Sequence, residues 1–291
     1  MAEDNGSSSR SYRPSAIFVT GGLGAERDRR TGAPTTTQDL PVTALSTREG
    51  DRGICFVRFV PRPPFDPRLA FADQEATRPA SFRLLRQRLI DRGDARTILC
   101  TSAHHGEGKT TLAVNLALAF SELGRHRVLL LEASFRRVAI ASLFGFDIPS
   151  GFRSQIFRHR HNRDEPWVMI QVGPPPLYIM AAELNGCTKC GVSVPADARF
   201  CGRCGGAVTG PGTAFGDWAG FTAALDRFRQ AFDYVIIDGP SVLTGGDVNL
   251  MQDTADAVVF AARKGQSDER SLRRAIDQIA PAPLAGVTMF E

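Results

Sequence analysis

The stretch AHHGEGKT, from Ala103 to Thr110, holds residues whose types and spacing suit phosphate chemistry. It fits the phosphate-binding loop pattern if alanine is accepted at the first position. Gly106 and Gly108 let backbone N–H groups turn towards phosphate oxygens. Lys109 would reach the β- and γ-phosphates, and the Thr110 hydroxyl would coordinate Mg²⁺. A chance glycine loop is the alternative, but strand, loop and helix follow in the required order, so we favour nucleotide binding.

A loop of this kind needs an acid at the end of a neighbouring strand, to hold Mg²⁺ or its water shell. FDYVIIDGP supplies Asp238, and Asp247 follows nine residues later. The apolar run VLLLE ends at Glu132, which is predicted to lie at the same rim and to face the metal. Strand termination is the alternative for Asp238, and a helix N-cap is the alternative for Asp247.

The predicted site therefore has three groups of residues. The predicted catalytic residues are Lys109, Asp238 and Glu132, and the predicted magnesium ligands are Thr110 and Asp238. The predicted nucleotide contacts are Ala103, His104, His105, Gly106, Glu107, Gly108, Lys109, Thr110, Thr111, Asp238 and Asp247. For the two histidines we favour exposed loop side chains over a catalytic role.

The segment CTKCGVSVPADARFCGRCG, residues 187–205, contains two Cys-x-x-Cys-Gly knuckles. Each knuckle turns two thiolates towards one point, which suits tetrahedral Zn²⁺ with four sulfur ligands. Such a site has no open position, so the zinc would be structural, and redox chemistry or disulfides are the alternatives. The predicted zinc ligands are Cys187, Cys190, Cys201 and Cys204.

The elements that must position these residues alternate along the chain. Continuous apolar runs at TILCTS, RVLLLEA, WVMIQV, LYIM, FDYVIID, DAVVFAAR and AGVTMF predict strands. Helices are predicted at residues 82–90, after Lys109, from Trp218 to Phe232, and after an N-cap at Ser267. This alternation predicts an α/β fold, with a mostly parallel sheet and helices on both faces.

Composition sets the domain organisation. Residues 1–75 are rich in Ser, Arg, Gly, Thr and Pro, which predicts a flexible extension with one strand near residues 54–60. A nucleotide-binding domain is expected over residues 76–291, with a zinc ribbon inserted at 187–205. The basic run FRSQIFRHRHNRD is read as a solvated loop, with anionic lipid or nucleic acid as weaker readings. A net charge of +4 disfavours nucleic-acid binding, and the N-terminus has no hydrophobic segment, so we expect a cytoplasmic protein.

Three segments, RTILCTSAHHGEGKTTLAVNLALAF, HRVLLLEASFRRVAIASLFGF and FDYVIIDGPSVLTGGDVNLMQDTADAVVFAARKGQS, resemble the cytoplasmic domain of bacterial tyrosine kinases. The resemblance covers about residue 80 to the C-terminus apart from the cysteine cluster. It implies ATP and Mg²⁺ as cofactors, a role in capsule or exopolysaccharide synthesis and export, and a membrane-bound polysaccharide co-polymerase or another protein as partner. It also implies a place at the inner face of the membrane through that partner, and it leaves a homo-oligomer open.

The sequence departs from the family pattern at several positions. The strand after the loop helix ends in two aspartates in the family, where this chain has Glu132 and Ser134. The family's activation motif of one glutamate and two arginines falls on Ala80, Arg83 and Arg86, so the glutamate is lost. The C-terminal tyrosine cluster of the family has no counterpart.

The resemblance therefore leaves three functions open. One is a kinase or slow ATPase with impaired or altered catalysis. The second is a nucleotide-responsive scaffold that recruits partners through the zinc ribbon. The third is a partition-like ATPase, which is disfavoured by His104, because the signature lysine of the septum-site type belongs at that position.

Overall fold

The computed structural model describes residues 16–18, 42–43, 53–72, 78–93, 95–183, 186–187, 194, 199–206, 208–209, 217–244 and 247–291. Its strands are β1 (Ala16–Phe18), β2 (Val42–Thr43), β3 (Ile54–Phe59), β4 (Thr97–Ser102), β5 (Val128–Glu132), β6 (Trp167–Val172), β7 (Leu177–Met180), β8 (Gly186–Cys187), β9 (Val208–Thr209), β10 (Tyr234–Asp238), β11 (Ala257–Arg263) and β12 (Leu284–Phe290). Its helices are α1 (Arg78–Asp91), α2 (Lys109–Ser121), α3 (Ile140–Phe144), α4 (Phe152–His161), α5 (Trp218–Ala231), α6 (Asp247–Gln252) and α7 (Glu269–Gln278).

Ten strands form one sheet in the order β1-β12-β11-β4-β10-β5-β7-β6-β3-β2. All its pairings are parallel except β6 with β7 and β2 with β3. The expected α/β fold with a mostly parallel sheet is therefore confirmed. The strand order puts β10 between β4 and β5, and Asp238 is in register with Cys100 on one side and Glu132 on the other. The C-terminal ends of β4, β5 and β10, where the predicted site residues lie, consequently meet at one edge of the sheet.

Both faces of the sheet are buried, so its central strands consist of continuous runs of apolar residues. All residues of β4 and β5 are buried. On one face α1 and α2 pack together through Phe82, Leu85 and Leu116. On the other face α5 buries Phe221 and Phe228 among the aromatic residues that line the sheet there. These two apolar layers fix the strands whose ends carry the site.

The folded unit begins before the boundary expected at residue 75. Strand β3 pairs in parallel with β6, and it buries Ile54, Phe56 and Val57. Farther along, the backbone N–H of Ala70 donates to the buried Asn115 side chain of α2 at 2.7 Å. Residues 53–72 therefore belong to the same sheet and core as the domain that follows.

Two local predictions need correction. The run FRSQIFRHRH forms helix α4 instead of a loop, because Phe152 and Ile156, four residues apart, give it one buried apolar face. Helix α7 is capped by Asp268, whose carboxylate accepts the N–H of Ser271 at 2.8 Å. The expected cap, Ser267, instead uses its hydroxyl in contacts to the phosphate-binding loop.

Among the described helices, none combines the length and the apolar character needed to cross a lipid bilayer.

Candidate functional site

The loop between β4 and α2 has the backbone of a phosphate cradle. Gly106 and Gly108 adopt positive φ angles of 84° and 99°, a region that favours glycine. A Cβ on Gly108 would lie 2.9 Å from the Phe290 ring, so the loop also has no room for a side chain there. Helix α2 begins directly after Gly108, and its N-terminus faces the loop with the positive end of the helix dipole. The predicted strand–loop–helix arrangement is present.

Three of the predicted site side chains meet at the strand ends. The Thr110 hydroxyl donates to Asp238 Oδ2 at 2.8 Å, and Lys109 Nζ lies 3.8 Å from Asp238 Oδ1. Lys109 Nζ also donates to the hydroxyl of Ser134 at 3.1 Å. Lys109 is 7% exposed and Asp238 is fully buried, so the lysine and its carboxylate partner lie in a low-dielectric corner.

The buried carboxylate of Asp238 suits a cation. Burial raises its pKa, and Lys109 and the Thr110 hydrogen bond act in the opposite direction. Its Oδ1 atom is buried and has no hydrogen-bond partner among the described residues, which is uncommon for a buried polar atom. An acceptor of this kind beside a threonine hydroxyl matches the hard oxygen ligands that Mg²⁺ prefers.

Glu132 lies next to Asp238, but its oxygens are committed to the backbone. Oε1 accepts from the N–H groups of Ala139 at 2.6 Å and Ile140 at 3.0 Å, and Oε2 accepts from Ala182 at 3.0 Å. Burial, followed by repulsion from Asp238, raises the pKa of Glu132 to about 7, against the effect of the three hydrogen bonds. Its role as a metal-facing or catalytic residue stays a prediction.

The two histidines of the loop differ in their partners. His105 Nδ1 lies 3.1 Å from the Ser241 hydroxyl, and burial, together with the positive charges of Arg137 and Lys109, lowers the pKa of His105. His104 contributes its backbone N–H to Glu107 Oε2 at 2.7 Å. His105 is thus partly buried and hydrogen-bonded, and not simply an exposed loop residue.

A second segment, residues 263–267, braces the loop, and the sequence did not reveal it. Glu107 is 1% exposed, and its Oε1 accepts the hydroxyl of Ser267 at 2.6 Å. Gln266 Nε2 donates to the carbonyl of His105 at 3.2 Å, and Arg263 donates to the carbonyl of Gly106 at 3.3 Å. The one signal available in the sequence was the acidic Glu107 inside a phosphate-binding loop, where a negative charge needs a partner.

Two further predicted nucleotide contacts, Ala103 and Thr111, flank the loop. Ala103 is buried at the end of β4, and Thr111 lies in the first turn of α2, where its carbonyl accepts from Asn115 at 2.8 Å. Asp247 begins α6, and its side chain lies outside what the structure describes. The motif arginines lie on α1, where Arg83 forms a bidentate ion pair with Glu122, the residue that follows α2, and Arg86 donates to a carbonyl of α2 at 2.5 Å.

The second candidate site is a cluster of thiols. The sulfurs of Cys187, Cys201 and Cys204 lie within 4.8 Å of one another, and those of Cys187 and Cys204 are 3.4 Å apart. The fourth predicted ligand, Cys190, lies outside the described residues. Strands β8 and β9 pair in antiparallel fashion at the base of this segment. The three described thiols therefore converge, as the knuckle spacing predicts.

The parallel sheet, the glycine loop and the Lys109–Thr110–Asp238 corner define a P-loop NTPase fold. No family model matches the chain. It is 24% identical over 184 residues to the tyrosine-protein kinase CpsD of Streptococcus pneumoniae, covering 63% of this chain and 70% of that protein. It is 22% identical over 223 residues to the tyrosine-protein kinase YwqD of Bacillus subtilis, covering 73% and 79%.

A solved structure of a bacterial tyrosine kinase has a similar fold. The kinase domain of the Escherichia coli tyrosine kinase ETK superposes with a TM-score of 0.59 at 17% identity, over 78% of this chain and 81% of that one. The chain is thus related in sequence to bacterial tyrosine kinases, and it shares the fold of a kinase domain from that group.

Proposed function

We propose that this chain binds ATP with Mg²⁺ and regulates capsule or exopolysaccharide synthesis and export, as a protein of the bacterial tyrosine-kinase type. The observation that carries the proposal is the meeting of Lys109, Thr110 and Asp238 beneath a glycine loop. Mg²⁺, when bound, would neutralise phosphate charge there. The sequence similarity to two bacterial tyrosine kinases supports the type of protein. The proposed partner is a membrane-bound polysaccharide co-polymerase or another protein.

The residues of the corner have distinct proposed tasks. Lys109 would leave Ser134 and Asp238 to contact the β- and γ-phosphates, and the Thr110 hydroxyl and Asp238 would hold the cation. The backbone N–H groups around Gly106 and Gly108 would bind the phosphate oxygens. The low-dielectric surroundings strengthen each of these charge interactions.

Calorimetric titration with Mg²⁺ and ATP tests this assignment. Lys109→Ala removes a charge-assisted contact to phosphate, so we expect affinity to fall about 10- to 100-fold. Arg273→Ala is the control, because that cation lies on α7 with its side chain 76% exposed. Unchanged affinity in Lys109→Ala would refute the proposed nucleotide site.

We further propose that phosphoryl transfer is impaired or altered. The second aspartate of the family pattern is replaced by Ser134, whose hydroxyl accepts from Lys109 and does not act as a base at neutral pH. Loss of a general base typically lowers rate by about 10²–10⁴. Phosphotyrosine formation and phosphate release should both be slow in the purified protein, and Ser134→Asp should raise them. Turnover of about 1–100 s⁻¹, typical of kinases, would contradict this proposal.

A second candidate function is that of a nucleotide-responsive scaffold with a zinc ribbon, and the thiol cluster favours it. Zinc–sulfur bonds of about 2.3 Å in a tetrahedron place sulfurs about 3.8 Å apart, close to the 3.4 Å between Cys187 and Cys204. Zinc, when bound, would supply folding energy to a segment of two-residue strands. In this case the partner's affinity should depend on ATP even where turnover is absent. Partner binding that ignores ATP would contradict a nucleotide-responsive scaffold.

A further inference from the structure

Glu132 joins the end of β5 to the start of α3, 7 residues later, and to a segment 50 residues away in the sequence. Its backbone ends β5, and its Oε1 atom binds the N–H groups of Ala139 and Ile140 at the start of α3. The carboxylate therefore closes the loop 133–138, which carries Ser134, into a ring. Helix α3 has no capping side chain of its own, so Glu132 supplies the acceptor that its first turn lacks.

The other oxygen of Glu132 reaches the segment that leads into the cysteine cluster. We call residues 181–183 the ribbon stem. Oε2 accepts from Ala182 N at 3.0 Å, and Cys187 follows five residues later in the chain. The same stem is bound to α4, because the carbonyl of Ala181 accepts from Phe152 N at 2.9 Å.

The stem carries a second buried carboxylate with a different target. Glu183 is 6% exposed, and it accepts from Ser154 N at 2.5 Å and Arg153 N at 3.2 Å in the first turn of α4. Glu183 thus attaches the stem to helix α4, whereas Glu132 attaches it to strand β5. Strand β5 borders the group of Lys109, Thr110 and Asp238, which we call the nucleotide corner. Glu183 is therefore a matched control for Glu132.

We propose that Glu132 is a positioning residue that ties the ribbon stem and the start of α3 to the end of β5, beside the nucleotide corner. Both of its oxygens accept backbone N–H groups, whereas Asp238 Oδ1 in the corner has no hydrogen-bond partner among the described residues. The link to nucleotide binding rests on the proposed function, but the tie itself rests only on the hydrogen bonds.

Hydrogen exchange of Glu132→Gln tests the tie without nucleotide or metal. A glutamine amide has one acceptor and one donor end, so it cannot satisfy Ala182 and the Ala139–Ile140 pair together. Whichever side faces the NH₂ group loses its acceptor, and exchange there should quicken about 10- to 100-fold. Peptides from β4 and β10 should keep their protection. In Glu183→Gln, Ala182 should keep its protection while the first turn of α4 loses some.

The second measurement separates positioning from metal ligation. We expect Glu132→Gln to weaken ATP binding by a similar factor with and without Mg²⁺, about two- to thirtyfold. Asp238→Asn should instead abolish the gain in affinity that Mg²⁺ gives. If Glu132→Gln abolishes that gain in the same way, Glu132 is a metal ligand and the proposal is wrong. Unchanged exchange at Ala182, Ala139 and Ile140 would also overturn it. Failure of the wild-type protein to bind ATP would refute the proposed function and leave the exchange result to decide the tie.

Discussion

The nucleotide corner and the cysteine cluster are held in place by different forces. The corner's side chains project from α2 and from β10, a central strand of the ten-stranded sheet, and Lys109, Asp238 and the neighbouring Glu132 are all buried. The cluster stands on two strands of two residues each, and its neighbour Phe200 is 69% exposed. Core packing fixes the first site, whereas we propose that the second is held mainly by bonds from its thiols to zinc. We therefore expect the corner to keep its structure without nucleotide, and the cysteine cluster to lose its structure without zinc.

The largest expected effect comes from removing the metal. Structural zinc contributes about 10–16 kcal/mol to the folding of small zinc domains. Cys201→Ser should therefore lose one equivalent of zinc, and exchange protection of the ribbon should vanish while the sheet keeps its protection. Metal analysis and hydrogen exchange measure the two outcomes. Cys55→Ser, at a cysteine of β3, is the control and should retain zinc. A full equivalent of zinc in Cys201→Ser would sink the ribbon assignment.

The next effect tests the claim that packing fixes the corner. In Gly108→Ala the new Cβ meets the Phe290 ring at 2.9 Å and the backbone keeps a φ of 99°. We expect the free energy of unfolding to fall by about 2–4 kcal/mol, from backbone strain and overpacking together, with a loss of ATP binding. Chemical denaturation and calorimetry measure the two quantities.

Gly93→Ala separates strain from crowding. Gly93 has a similar φ of 107°, but its Cβ would meet nothing within 4 Å. It should lose only about 1–2 kcal/mol and keep ATP affinity. Equal losses at Gly93 and Gly108 would mean that the close packing of the loop against β12 contributes nothing.

A third substitution probes the boundary between the two regions. A Cβ on Gly151, just before α4, would lie 1.7 Å from Glu183 Oε2, so Gly151→Ala must displace the buried carboxylate of the ribbon stem. We expect a loss of about 1–3 kcal/mol in thermal or chemical unfolding. Gly202→Ala, where a Cβ meets nothing within 4 Å, should change stability little. If the two variants were equally stable, the stem would not be held by Glu183.

The sequence predicted most of the corner, because parallel strands end at one edge of a sheet. Asp238 and the loop helix were located by their strands, and the hydrogen bond from Thr110 to Asp238 follows from that placement. Strand β3 was also expected, but its parallel partner β6 lies more than 100 residues away and leaves no local signal.

The sequence does not indicate which partner an individual side chain contacts. Glu132 accepts from amides 7, 8 and 50 residues away, and backbone amides carry no residue-specific signature. Ser267 was expected to cap α7, but its hydroxyl serves Glu107, a pairing of two segments 160 residues apart. Helix α4 was missed because five charged or histidine side chains from Arg153 to His161 mask its two buried apolar residues.

The smallest expected effect is a pH dependence at the ribbon stem. Burial raises the pKa of Glu183 above its ordinary value of 4.5, with the Ser154 hydrogen bonds acting against it. A carboxyl whose pKa is raised on folding stabilises the protein fully below the unfolded pKa, and that contribution is lost as the pH rises through the folded pKa. Relative to Glu183→Gln, the wild-type protein should therefore lose stability from about pH 4.5 upwards. Denaturation midpoints measured from pH 4 to 8 would show this, with Glu291→Gln, at an exposed glutamate, as the control. If the stability advantage of the wild-type protein instead grows with pH, the amides of α4 stabilise the ionised form of Glu183 by more than burial penalises it. In that case a charge interaction fixes the ribbon stem, whereas apolar packing fixes the corner.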